Sequence, residues 1–129
     1  MPRKTFLSIM GTLGLVVGVV AFLWPGAVLA GKGVPSDSGT CVWVREVGVL
    51  IVALSAIVLL VRNQPDTPAI RAVLWGNVIV HAGLLPIEIV AWLAGVITRL
   101  DGIVPNSFLH VLSAVGFAFF ARRVDTRVA

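Results

Sequence analysis

Two stretches of this chain run for a full bilayer's thickness without a formal charge. Phe6–Ala30 is 25 residues long and Gly102–Ala121 is 20. A helix rises about 1.5 Å per residue, so each can cross a hydrocarbon core of about 30 Å. Two shorter runs lie between them. Val47–Val61 holds 15 uncharged residues, and spans if its helix begins near Thr40 and takes in Arg45 and Glu46. Ala72–Ile87 holds 16, and spans if its helix continues through Glu88 to about Thr98. Composition agrees: 58% of the residues are hydrophobic and only 12% charged, too few charges to clothe a soluble surface.

The expectation is therefore an all-α, polytopic membrane protein. Residues 1–129 form one transmembrane domain, a bundle of four helices over about 6–30, 40–61, 69–98 and 103–121. The first run also has features of a signal peptide: Arg3 and Lys4 before it and Val28-Leu29-Ala30 near its end. It exceeds the usual length of such a core, and is read as a span.

Basic residues set the orientation. With four spans, one side holds Arg3, Lys4, Arg62, Arg71, Arg122, Arg123 and Arg127, and the other Lys32, Arg45 and Arg99. Seven against three places both termini in the cytoplasm, in a cell membrane of bacterial inner-membrane type. The net charge of +4 then reflects topology and lipid head groups, with no call for nucleic acid. Trp24, Trp43 and Trp92 fall near the outer boundary and Trp75 near the inner one, as an interfacial aromatic belt requires.

The third span is the informative one. Asn77, His81 and Glu88 lie 4 and 11 residues apart, hence on one helical face. A carboxylate in hydrocarbon costs at least about 2.5 kcal/mol, so this face is expected to look inward and Ile79, Val90 and Leu93 to look at lipid. Pro86 leaves the carbonyl of Ala82 without its helical donor, a second reason to turn this face inward. Arg45, Glu46 and Arg99 are the charges expected near Glu88, in a polar pocket opening outward with Glu88 as its floor. An Arg–Glu clasp that merely fixes register is the structural alternative.

His81 and His110 fall at matching depth on neighbouring helices. Two neutral imidazoles so placed can ligate haem iron, or each can hydrogen-bond a neighbouring helix through Asn77, Ser107 or Ser113. Gly14 and Gly18 form a small-residue stripe with Ala21 and Pro25, suited to packing inside the bundle or to a homo-oligomer interface. Catalytic signatures are missing: no CxxC, HExxH, GxSxG or P-loop occurs, and Cys41 is the one cysteine. The chain is read as leaning away from an enzyme, with no metal site beyond the two histidines.

The stretch REVGVLIVALSAI (45–57), an acidic residue followed by Gly48 at the head of a small-residue helix, resembles the DoxX-like group of small bacterial membrane proteins. That resemblance implies four helices and cytoplasmic termini, and some members are linked to quinone or redox membrane chemistry. FLWPGAVLAG and LLPIEIVAWLAG, in the first and third spans, also resemble each other faintly, as two duplicated helical hairpins would.

Three functions follow as expectations. The first is binding of a lipid, quinone or similar amphiphile by Arg45, Glu46, Asn77, His81, Glu88 and His110. The second is an accessory subunit of a larger membrane partner or homo-oligomer, with Gly14 and Gly18 facing outward. The third is a haem-binding anchor through His81 and His110.

Overall fold

A computed structural model describes residues 1–125; Arg127 lies outside the described residues. Five helices follow one another: α1 Arg3–Leu23, α2 Pro25–Lys32, α3 Ser38–Val61, α4 Pro68–Leu93 and α5 Leu100–Arg123. All but α2 are long and apolar enough to cross a membrane, and no strand occurs among the described residues. The chain has the make-up of a multi-pass membrane protein.

The first span is not one helix. Proline disfavours helical geometry in the residue before it, and Trp24 leaves the helix at φ −127°, ψ 58°. Pro25 then opens α2 as its first residue, where its missing N–H costs nothing. α2 ends on Gly33 at φ 69°, with Gly33 N–H donating to Ala30 O (3.0 Å) and Val34 N–H to Leu29 O (2.9 Å). The third span ends early by the same device. Gly95, at φ 70°, closes α4 with matching bonds to Trp92 O and Ala91 O, so the helix stops at Leu93 and does not run to Thr98.

Other boundaries shift for local reasons. The Asp37 carboxylate caps α3 by accepting from Thr40 N–H at 2.8 Å, and Thr40 Oγ1 accepts from Asp37 N–H in return, so α3 starts at Ser38. Thr67 caps α4 through Ile70 N–H. The last helix, expected over about 103–121, starts earlier, at Leu100, and runs to Arg123.

The long helices pair off. α1 packs antiparallel on α3, and α4 on α5. The first seam is made of small residues: a Cβ built on Gly18 would lie 2.9 Å from the Gly48 carbonyl oxygen, and one on Gly48 2.7 Å from Phe22 N. The stripe of Gly14 and Gly18 thus faces α3, not an outside partner. The pairs meet at the end bearing the termini, where Phe6, Leu7, Val58, Ile70, Leu74 and Phe117 are buried together. At the far end α2 docks on the start of α5. Thr98 and Arg99 donate their N–H groups to Lys32 O, and Gly102 presses so near Gly31 that a Cβ would strike its carbonyl oxygen.

Candidate functional site

The α2 docking decides what meets Glu88. Lys32, the last residue of α2, forms an ion pair with Glu88 Oε1. From α5, one turn in, Asn106 Nδ2 donates to the same oxygen at 2.6 Å and Ser107 Oγ donates to Oε2 at 2.9 Å. Glu88 is 6% exposed and has three donors. A buried carboxylate survives in such a segment only when paired and hydrogen-bonded in this way.

The chain of bonds continues inward. Asn106 Nδ2 also lies 3.2 Å from His110 Nε2, and His110 Nδ1 lies 2.9 Å from His81 Nδ1. The order fixes the tautomers. A carboxylate only accepts, so the NH2 of Asn106 must face Glu88, and its second hydrogen points to His110 Nε2, which therefore accepts. His110 then carries its proton on Nδ1 and donates to His81 Nδ1. His81 is left with its proton on Nε2, an N–H with no protein partner among the described residues. A further proton on either imidazole would set two donors against each other somewhere in this chain.

His81 stacks on Phe117, with ring centroids 5.7 Å apart, and lines a cavity of about 110 Å³ between the two helix pairs. The other walls are mostly apolar, among them Leu13, Val17, Leu54 and Leu84, with Ser55, Asn77, Asn106, His110 and Ser113 as polar exceptions. Asn77 donates to Val73 O of its own helix at 2.9 Å, and Ser113 Oγ to Leu109 O at 2.7 Å.

The expected site is thus assembled in part. His81, Glu88 and His110 are linked through Asn106, Asn77 shares only the cavity wall with the histidines, and Ile79, Val90 and Leu93 are 72%, 62% and 71% exposed on the opposite face. Arg45 and Glu46 do not take part: α3 packs on α1 and α2, so its outer turns never reach α4, and both side chains are exposed. Arg99 turns to Asp101 instead. Nor is Glu88 the floor of the cavity: Asn106 lines it, and the carboxylate lies behind Asn106. Lys32, Asn106 and Ser107 take the places expected for the arginines.

A signal for Asn106 was present. Asn106, His110, Ser113 and Phe117 recur at intervals of 4, 3 and 4, one face of α5, and mirror the polar face of α4. Lys32 had no such signal, because its place follows from the break at Trp24.

As they stand, the histidines do not fit haem. Two ligand nitrogens about 2 Å from one iron are about 4 Å apart, whereas the two Nδ1 atoms are in direct hydrogen-bond contact, His110 Nε2 faces Asn106, and the cavity beside them is small. Groups of three or more potential metal-ligating side chains are missing among the described residues. Comparison with family models, curated proteins and solved structures finds no match.

Proposed function

We propose that this is a small multi-pass membrane protein that binds an amphiphile between its two helix pairs, gripping a hydrogen-bond acceptor on the ligand with His81. The observation that carries the reading is the end of the polar chain. Lys32, Glu88, Asn106 and His110 orient His81 and leave one N–H without a protein partner, on a residue that lines a largely apolar cavity. Apolar walls with a few convergent polar groups are the usual make-up of a ligand site. A quinone or ester carbonyl meets the requirement: its oxygen accepts from His81 Nε2, and its ring or first carbons fill the cavity. A longer tail runs out between the pairs into lipid.

The bilayer in this reading is a bacterial inner membrane, with both termini in the cytoplasm. The face bearing the chain ends holds Arg3, Lys4, Arg62, Arg71, Arg122 and Arg123, the asymmetry that holds loops on the cytoplasmic side.

Solvent extraction of the purified protein followed by mass spectrometry tests the binding. Wild type is expected to carry a quinone or lipid in near-stoichiometric amount, His81→Leu at least ten-fold less, and Glu46→Gln as much as wild type. Equal recovery from His81→Leu and wild type would overturn the reading.

A further inference from the structure

A second hollow, remote from the His81 cavity, opens at the end of the molecule that carries the chain termini. It measures about 380 Å³ and lies among the start of α1, the end of α3 with its following loop, and the end of α5. Four cations line it: Arg3, Lys4, Arg62 and Arg123. Asp66 is the one acidic side chain in the lining, and Phe120 and Val124 supply an apolar wall.

Among the described residues, the donors in the lining outnumber the acceptors that engage them. Asp66 is already engaged by Arg3 on one oxygen and by the backbone N–H of Asp125, at 3.2 Å, on the other. Arg3 spends a second nitrogen on Gln64 O at 2.6 Å. Arg62 uses one N–H on Leu59 O at 2.6 Å, out of the five a guanidinium carries. Arg123 places its guanidinium carbon over the Phe119 ring, 4.0 Å from the centroid, and has no hydrogen bond or ion pair among the described residues. Lys4 has no hydrogen bond or ion pair among the described residues. Guanidinium groups gathered with a lysine around one hollow are phosphate chemistry.

Position selects the source of the phosphate. The hollow sits at the ends of three membrane-length helices, the level of lipid head groups, and its Phe120–Val124 wall continues to the exposed, lipid-ready Phe119. A bare anion needs neither the room nor the apolar wall. We infer that this hollow holds the phosphate head group of an anionic phospholipid, with the start of its acyl chains along Phe120 and Val124. Basic recesses between helix ends are suited to such head groups.

The test uses the full chain in neutral detergent, with phosphatidylglycerol, phosphatidylcholine and inorganic phosphate as separate probes, read by native mass spectrometry and by the shift in Tm. Phosphatidylglycerol is expected to be retained at one per chain and to raise Tm, with phosphatidylcholine and inorganic phosphate doing neither. Lys4→Gln, an exposed change that leaves the packing intact, is expected to weaken retention about five-fold, and Arg62→Gln by at least as much. Arg71→Gln, on the same face but outside the hollow, is expected to change nothing. Equal retention of phosphatidylcholine would overturn the proposal. So would an equal loss in Arg71→Gln, which would mark diffuse surface charge. Protection by inorganic phosphate matching that of the lipid would assign the hollow to a free anion instead.

Discussion

Asn106 holds the two halves of the buried polar chain together, because its single amide nitrogen serves both Glu88 and His110. Asn106→Leu removes both bonds and leaves acceptors on each side in a medium that offers no water. The expected loss is about 1–3 kcal/mol, read from unfolding in mixed micelles. The Lys32–Glu88 pair behaves differently, since it can be removed from both ends. Lys32→Met alone strips the counter-charge from a carboxylate that stays buried and is expected to destabilise by a similar amount. Lys32→Met with Glu88→Leu replaces both partners by apolar groups and is expected to recover most of that loss. A double variant worse than the sum of the singles would mean that the pair does more than neutralise itself. The helical spacing of His81 and Glu88 made the α4 part of this cluster legible, while Asn77, on the same face, bonds only within its own helix. The rest depends on which residues of α2 and α5 stand opposite, and periodicity along one helix carries no such information.

Glycines separate the two faces of each helix more sharply than hydropathy does. On α1 and α3, Gly18 and Gly48 sit where backbones cross, and an added methyl group would strike main-chain atoms that cannot swing away. On α4, Gly76 and Gly83 have open space beyond them. Gly18→Ala and Gly48→Ala are therefore expected to cost about 1–3 kcal/mol. Gly76→Ala and Gly83→Ala are expected to be neutral or to stabilise by up to about 1 kcal/mol through helix propensity. Gly14→Ala should fall between these extremes, because the atoms it meets belong to the Ser55 side chain and can rotate. The same detergent unfolding series checks all five. A loss at Gly83 as large as that at Gly18 would mean that a further chain covers α4. Backbone clearance alone accounts for Gly48 at its position. The four membrane-length helices were readable from charge-free runs. The breaks were not, since Pro25 ends a helix and Pro86 lies inside one, and the two prolines look alike in sequence.

Two seams close the whole molecule, and they rest on different forces. At the far end, α2 bridges the helix pairs through main-chain bonds to Lys32 O and through the buried pair with Glu88. At the termini, apolar packing around Phe6 and Phe117 is supplemented by Asp66, which ties α1 to the α3–α4 loop through Arg3 and to the end of α5 through Asp125 N–H. The second seam should be acid-sensitive. The Asp125 N–H, more than Arg3, holds the Asp66 carboxyl below its ordinary value of 3.8, against a smaller opposing effect of partial desolvation. With the folded value depressed, the clasp contributes fully only well above 3.8 and is lost as pH falls through the folded value. Asp37, held low chiefly by Thr40 N–H, titrates in the same sense, so wild type alone cannot isolate Asp66. The comparison that can is Asp66→Asn against wild type in unfolding scans from pH 7 to pH 3. All other carboxylates are common to both and cancel. The two curves should run parallel from pH 7 to about pH 5, with the variant lower, and converge below pH 4 as the wild-type clasp is protonated. The gap should be small, because Asp66 is largely exposed and Arg3 partly so. A carboxyl-carbon titration of Asp66 supplies the independent reading. A midpoint at or above 3.8 would remove Asp66 from the seam and leave the termini end held by its apolar core alone.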